Sequence, residues 1–252
     1  MEITGNTIFI PGATSGIGLA LAIALKDKGN TVIVGGRRAA LLDDIRAQHG
    51  LEGVEIDTSS PASITSAAES VVAAHPDLNV LVTMAGIMRA EDWTAGDFLV
   101  EAESTVITNL LGPIRLIHAF LPHLRSRPSS TIVTVSSGLA HAPLKPFPTY
   151  NATKAAIHML SETLRLQLAA TTVDVLELVP PSVATDLLPG QRESSFAMPL
   201  DEFIEEVVAL IEGQPDATEI QVERVKFLRY GEARGDYDAV VSALNSLDPH
   251  GK

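Results

Sequence analysis

The chain alternates short apolar strands with amphipathic helical segments along most of its length. The predicted strands are Thr7–Ile10, Thr31–Gly35, Val54–Ile56, Val80–Thr83, Thr131–Ser136, Val173–Val179 and Glu219–Val222. Helical spacing of apolar residues occurs between them, as in Pro61–Ala74 and Asn151–Leu168. This alternation favours an α/β fold in which helices cover both faces of a doubly wound parallel sheet.

Size and composition limit the classes of protein that this chain can be. With 252 residues and 46% hydrophobic content, one domain over residues 1–252 is favoured over two small ones. There is no cysteine, which excludes disulfides and a thiolate nucleophile. The net charge of −13 argues against nucleic acid or an anionic membrane as a partner. The first residues form no basic leader and charged residues interrupt the apolar runs, so we expect a cytoplasmic protein.

A glycine-rich turn follows the first predicted strand and precedes the amphipathic helix Leu19–Lys28. Gly12 would allow a tight turn, Gly16 would let the backbone approach a pyrophosphate, and Gly18 would let helix and strand pack closely. Thr14, Ser15 and Ile17 complete this turn. The pattern predicts the phosphate-binding turn of a dinucleotide site.

Two arginines and an aspartate mark the predicted adenosine end of that site. Arg37 and Arg38 follow the second strand, where an acidic residue would bind a ribose 2′-hydroxyl and arginine suits a 2′-phosphate. The pair therefore predicts NADP rather than NAD, the alternative being two solvated arginines before a helix. Asp57 and Thr58 end the third strand, and we expect them near the adenine.

Tyr150 and Lys154 lie four positions apart at the start of a predicted helix, so they share one face. A neighbouring ammonium stabilises a phenolate, which predicts a tyrosine pKa brought from about 10 toward neutrality. The spacing alone is a moderate signal, and Tyr230 with Arg234 shows how easily a similar pair arises. Ser137, at the end of the preceding strand, adds weight as a hydroxyl at the edge of the sheet where ligands bind.

With the glycine turn, Asn109, Ser137, Tyr150 and Lys154 in this order, the sequence resembles the short-chain dehydrogenase/reductase family from about Gly5 to Val222. The resemblance implies a single Rossmann-like domain with a seven-stranded parallel sheet. It also implies a nicotinamide cofactor and often a homodimer or homotetramer.

The resemblance assigns a role to each residue. Tyr150 would be the general acid for carbonyl reduction or the base for alcohol oxidation, and Ser137 would hold the substrate oxygen. Lys154 would contact the nicotinamide ribose, and Asn109 would hold a water that links Lys154 to solvent. Further cofactor contacts are expected from Ala85 and Gly86 after the fourth strand, and from Pro180, Val183 and Thr185 after the sixth.

Three positions depart from the family pattern. Pro11 replaces a threonine, Thr83 and Met84 replace two asparagines, and Pro181 replaces a glycine. These departures favour the alternative of a non-catalytic NADP-binding sensor or scaffold. The intact residues in the proton-transfer positions favour an enzyme.

Apolar residues near the expected nicotinamide predict a hydrophobic carbonyl or alcohol substrate. They are Ile87, Met88, Trp93, Leu139, Phe147, Leu187, Leu188, Phe196 and Met198. Residues 186–199 are interpreted as a lid, and residues 223–252 as a partly helical C-terminal extension. We predict a ketone or aldehyde reductase, with imine reduction left open. The histidines show no metal-ligand spacing, so no metal is expected, and His141 is expected to be a solvated loop residue.

Overall fold

The computed structural model describes residues 1–246, which form a seven-stranded sheet in the order β3-β2-β1-β4-β5-β6-β7. The strands are β1 Thr7–Pro11, β2 Thr31–Gly36, β3 Glu52–Glu55, β4 Val80–Thr83, β5 Ser130–Val135, β6 Val173–Leu178 and β7 Glu219–Ile220. Every pairing between neighbouring strands is parallel. The predicted doubly wound α/β fold is confirmed. Strands β2 and β3 are added on one side of β1, and β4 to β7 are added on the other side, so the strand order switches between β1 and β4.

Helices cover both faces of the sheet. They are α1 Gly16–Asp27, α2 Ala39–His49, α3 Pro61–Ala74, α4 Leu99–Val106, α5 Gly112–Arg125, α6 Pro148–Leu168, α7 Leu200–Gly213, α8 Lys226–Arg229, α9 Gly231–Arg234 and α10 Tyr237–Ser246. Strand β1 shows the division of the core, since Ile8 and Ile10 pack in one apolar layer and Phe9 packs in the other. Successive side chains of a strand face opposite sides, so the sheet carries two cores.

Two helix boundaries differ from the sequence predictions. Helix α6 begins at Pro148 rather than Asn151, because proline is well tolerated in the first turn of a helix. Tyr150 therefore lies in that first turn. The sequence also predicts a long helical region, about Asp97 to Arg125, that is interrupted near Gly112 and Pro113. The structure has a π-helical turn instead, Ile107–Leu111, which joins α4 to α5 without a break.

One helical region is long and apolar enough to resemble a membrane-spanning helix. By length and composition, Leu99–Arg125 could span a membrane, with a mean hydropathy of 1.2 over 18 residues. Leu116 and Phe120 of this region are fully buried in the core layer that also contains Phe9 of the sheet. In this structure the region is a core helix of the α/β domain.

The described part of the C-terminal extension, residues 223–246, consists of a short 3-10 turn and helices α8, α9 and α10. Val225 and Val240 are buried, so the extension packs on the rest of the domain. Residues 247–252 lie outside the described residues.

Candidate active site

A cavity of about 410 Å³ lies at the carboxyl ends of the strands, where β1 and β4 meet. This is the edge at which open α/β sheets bind ligands. The predicted site residues that line it are Gly12, Ser15, Gly16, Ile17, Gly18, Arg37, Gly86, Ser137, Tyr150, Lys154, Pro180, Val183 and Thr185. The structure thus brings the predicted nucleotide residues and the predicted proton-transfer residues into one cavity.

The glycine turn has little room for side chains. Gly12 has a φ of 91°, and a Cβ there would lie 2.5 Å from the Ala85 Cα. A Cβ on Gly18 would lie 2.9 Å from the Gly12 carbonyl oxygen and from the Ala13 Cα. Gly18 therefore allows α1 to pack closely on the turn after β1, and Gly12 allows that turn to approach the loop after β4.

The start of α1 offers hydrogen-bond donors to the cavity. The Ser15 hydroxyl makes no capping hydrogen bond, and Ser15, Gly16 and Ile17 all line the cavity. Uncapped first-turn amides and the helix dipole favour an anion at this position. Arg37 adds a guanidinium to the same lining. These donors fit the phosphates of a dinucleotide.

Tyr150 and Lys154 are both buried, and burial decides their titration. Burial raises the pKa of Tyr150 to about 12, although a hydrogen bond with the Ser137 side chain opposes the rise. Burial lowers the pKa of Lys154 to about 8. The Lys154 Nζ donates to the Val135 carbonyl at 2.8 Å and lies 5.6 Å from the centroid of the Tyr150 ring. The expected lowering of the tyrosine pKa is therefore wrong for this structure, because burial outweighs the opposing hydrogen bond with Ser137.

Asn109 holds the loop that follows β4. Its side-chain amide donates to the Ile87 carbonyl and accepts from the Ile87 N–H, both at 2.8 Å. A Cβ on Gly86 would lie 3.5 Å from the Asn109 Oδ1 and 3.9 Å from the Lys154 Nζ. Asn109 thus fixes the backbone beside Lys154, and the π-helical turn presents its side chain.

Some predicted site residues do not line the cavity: Thr14, Arg38, Asp57, Thr58, Ala85 and Asn109. Arg38 is exposed at the start of α2. The Asp57 carboxylate accepts hydrogen bonds from the Ser59 hydroxyl and N–H, which lower its pKa. Side-chain partners within the loop explain why this carboxylate does not reach the cavity.

The cavity also contains residues that sequence reasoning missed, among them Arg89, Ser136 and Gln191. Gln191 donates to the Val183 carbonyl at 2.8 Å and accepts from the Leu188 N–H at 3.1 Å. It therefore ties residues 186–199 to the turn after β6. No local pattern marks these three residues, and the hydrogen bonds of Gln191 depend on the conformation of an irregular segment that has no periodicity.

The predicted apolar residues divide into three groups. Ile87, Met88 and Leu187 line the cavity. Leu139, Phe147 and Leu188 pack in a small cluster with Met88 and Tyr150. Trp93 and Phe196 are exposed, and Met198 pairs with Val183 at the base of the predicted lid.

A group of acidic and histidine side chains lies near α6. His158, Glu177 and Glu219 have ligand-type atoms within 4.8 Å of one another. The carboxylate of the fully buried Glu177 already bonds His158 and Arg165, and that of Glu219 bonds Arg229. The group is an ion-pair network, and the absence of a metal stays a prediction.

His141 differs from expectation. Its ring lies 4.6 Å from the His158 ring in an edge-on arrangement, and burial lowers its pKa to about 4. The prediction of a solvated loop residue is wrong, because the C-terminal extension and α6 enclose this part of the loop with a second cavity that His141 lines.

Comparison with known proteins shows the class to which this chain belongs. Residues 6–195 match the short chain dehydrogenase family. The chain therefore belongs to this family of oxidoreductases, whose members use NAD or NADP.

Three relatives are informative. The uncharacterised oxidoreductase DltE of Bacillus subtilis is 36% identical over 256 residues, covering 98% of this chain and all of that protein. An uncharacterised oxidoreductase of Staphylococcus epidermidis is 31% identical over 192 residues, covering 75% of this chain and 83% of that one. A short chain dehydrogenase of Burkholderia cenocepacia, solved in complex with NADP, superposes with a TM-score of 0.83 at 26% identity and covers 97% of this chain and 99% of its own.

Proposed function

We propose that this protein is an NADP-dependent oxidoreductase that transfers a hydride between the nicotinamide and a carbonyl or alcohol substrate. The observation that carries the proposal is one cavity lined at one end by the glycine turn and Arg37, and at the other by Ser137, Tyr150 and Lys154. The cofactor supplies the hydride when bound, and the protein supplies orientation and the proton.

Tyr150 is the proposed proton donor for reduction of a ketone or aldehyde. Its raised pKa, about 12, keeps the phenol protonated near neutral pH, which is the form that donates. Ser137 lines the same cavity and is the proposed residue that holds the substrate oxygen. Lys154, with a pKa of about 8, is mostly charged at pH 7 and stabilises the phenolate that proton donation leaves.

Arg37 supports the choice of NADP over NAD. Its side chain lines the cavity, whereas the neighbouring Arg38 does not. A guanidinium binds a phosphate through charge-assisted hydrogen bonds and has no comparable partner in an unmodified ribose. The relative from Burkholderia cenocepacia that was solved with NADP agrees with this choice.

The substrate proposed here is small and hydrophobic. Met88, Leu187 and Ile87 form apolar walls next to Tyr150. Residues 186–199 are proposed to act as a lid, anchored at Val183 by the contact with Met198 and by Gln191. An imine would meet the same walls and the same proton donor, so imine reduction is the nearest alternative.

We further propose a cytoplasmic homodimer that forms through α4, α5 and α6. These helices expose a set of large apolar side chains, namely Leu99, Val100, Ile114, Met159 and Leu166, the last of which is 81% exposed. A large exposed apolar surface marks an interaction site. Leu166→Glu is expected to shift the protein to monomers in light scattering, and an unchanged mass would reject this interface.

The departures at Pro11, Met84 and Pro181 support a second candidate, a sensor that binds NADP without efficient chemistry. Nicotinamide absorbance, followed with NADPH or NADH and a panel of ketones, aldehydes and imines, distinguishes the candidates. NADPH oxidation with a ketone or aldehyde supports the reductase, and oxidation with imines alone supports the alternative chemistry. Tight NADPH binding without turnover supports the sensor, whereas failure to bind either nucleotide rejects both.

A further inference from the structure

The loop between the two proposed catalytic groups, residues 138–147, lies between two cavities. The candidate active site borders Ser137 and Tyr150 on one side. A second cavity, also of about 410 Å³, lies on the other side between the loop, α6 and the C-terminal extension. The first half of the loop lines this second cavity, so packing is incomplete on that side and hydrogen bonds help to fix the backbone there.

Asn245 of α10 supplies two of these hydrogen bonds. Its Nδ2 donates to the Pro143 carbonyl at 2.9 Å, and its Oδ1 accepts from the Lys145 N–H at 2.7 Å. Both bonds join segments that are about 100 residues apart in the sequence. One amide side chain of the C-terminal extension therefore holds the backbone on both sides of Leu144.

Asn151 holds Leu144 itself. The Asn151 Nδ2 donates to the Leu144 carbonyl at 2.9 Å, and its Oδ1 accepts from the Leu144 N–H at 3.4 Å. Asn151 directly follows Tyr150 in the first turns of α6, and the Leu144 side chain packs in the cluster that contains Tyr150. Asn245 and Asn151 thus fix three successive backbone positions, residues 143–145. Asn151 belongs to α6, the helix that contains Tyr150.

The extension also touches the loop immediately after Ser137. A Cβ on Gly138 would lie 2.8 Å from the Leu228 Cδ1 and 3.0 Å from the Val225 Cγ2. The Gly138 N–H donates to the Pro180 carbonyl at 2.9 Å. The extension therefore contacts the loop at its first residue and again at Pro143 and Lys145.

We propose that the C-terminal extension positions the catalytic loop, and that Asn245 is the positioning residue that transmits this constraint through Leu144 and Asn151 to Tyr150. The inference rests on the proposed reductase function for its kinetic consequence. Asn245 lies outside residues 6–195, which match the family.

The test compares Asn245→Ala, which removes both hydrogen bonds, with Asn245→Asp, which keeps the acceptor for Lys145 and loses the donor to Pro143. Arg234→Ala is the matched control. Arg234 bonds Asp236 and the carbonyls of Lys226 and Phe227, all within the extension. The measurements are amide hydrogen exchange of residues 138–147, the Kd for NADPH, kcat and KM.

In Asn245→Ala we expect amide exchange of the loop to become about threefold to tenfold faster and kcat to fall by about threefold to tenfold. The Kd for NADPH should stay within about twofold of wild type. Asn245→Asp should give about half of this change on a logarithmic scale, and Arg234→Ala should leave kcat and loop exchange unchanged. Unchanged loop exchange in Asn245→Ala would overturn the proposal whether or not the protein is a reductase. An equal loss of kcat in Arg234→Ala would also overturn it, since a general loss of stability would then be the cause.

Discussion

Tyr150 with Lys154 and Tyr230 with Arg234 have the same spacing in the sequence and different surroundings in the fold. The first pair lies within one continuous helix, and both side chains are buried at the candidate active site. Tyr230 lies between α8 and α9, is 37% exposed, and donates its hydroxyl to Gln221 at 2.8 Å. Arg234 bonds Asp236 and two backbone carbonyls of the extension.

The comparison shows what a four-residue spacing does and does not determine. It places two side chains on one face only where a single helix contains both. It says nothing about burial, and burial is what moves the pKa of Tyr150 to about 12 and that of Lys154 to about 8. Substituting Tyr150 or Lys154, with Tyr230 or Arg234 as the control, separates the effect of burial from the effect of spacing.

The largest expected effect is the loss of turnover in Tyr150→Phe. Removing the phenolic proton should lower kcat by about 10²–10⁴-fold, while the Kd for NADPH stays near the wild-type value. Tyr230→Phe, the matched change at the exposed site, should leave kcat within about twofold of wild type. Turnover retained in Tyr150→Phe would remove the phenol as proton donor.

Lys154→Met is expected to separate activity from stability. At pH 7 the folded protein holds a buried charge whose pKa is lowered to about 8, so removing the ammonium should raise Tm by about 2–4 °C for each kcal/mol of relieved burial cost. The relief should shrink as the pH rises above 8 toward the unfolded pKa of about 10.4, where wild-type Lys154 is neutral in the fold. Turnover should fall by tenfold or more.

Arg234→Met is the matched control for that experiment, measured by calorimetry and by the absorbance assay. It should lower Tm, because it removes hydrogen bonds without relieving a buried charge, and it should leave turnover unchanged. A lower Tm in Lys154→Met at pH 7 would show that the hydrogen bond to Val135 outweighs the cost of burial.

The neighbouring arginines form a second pair, in which both residues are exposed but only Arg37 lines the cavity. Arg37→Ala should raise the Kd for NADPH about tenfold to a hundredfold and leave the Kd for NADH nearly unchanged. Arg38→Ala should change either Kd by about twofold or less. Equal losses for both nucleotides in Arg37→Ala, measured by fluorescence titration, would reject the 2′-phosphate assignment.

The smallest expected effect is the pH dependence of stability that His141 and His158, whose rings lie edge-on, confer on the fold. The hydrogen bond to Glu177 raises the pKa of His158, so this pair stabilises the fold below the unfolded value of about 6.5, and the stabilisation is lost as the pH rises through the folded pKa. His141, with a pKa of about 4, has the opposite sign and loses stability as the pH falls below about 6.5.

Urea unfolding of His158→Gln and His141→Gln across pH 4–9 checks this. His158→Gln should flatten the decline on the alkaline side, and His141→Gln should flatten the decline on the acidic side. The same slope in both variants would mean that Glu219, Arg229 and Arg165, which surround the two rings, determine the pH dependence instead.

Much of the fold followed from the sequence because its signals are local. β-branched and apolar runs predicted the seven strands, and Pro61–Ala74 was predicted with the bounds that the structure has. Gly12 predicted a tight turn and Gly18 predicted close packing of helix and strand, and the structure contains both features. Of the predicted residues Asn109, Ser137, Tyr150 and Lys154, the last three line the candidate active site, and Asn109 holds the loop beside Lys154.

Other features could not be predicted from local patterns. The π-helical turn that presents Asn109 has no sequence signal of its own, and Gln191 joins the cavity through hydrogen bonds to Val183 and Leu188. The environment of His141 depends on α6 and the C-terminal extension, which come later in the chain. Contacts between distant segments and contacts within irregular loops carry no periodicity, so they could not be predicted from the sequence.

The sequence by itself determined the strands, the glycine turn and the order of the proton-transfer residues, because backbone conformation and side-chain chemistry act over a few residues. Tertiary structure alone decided which of two identical spacings is buried, and it set the directions of the pKa shifts of Tyr150 and Lys154. It also placed Asn245 against the loop beside Tyr150. Burial and long-range hydrogen bonds arise only when distant parts of the chain are folded together.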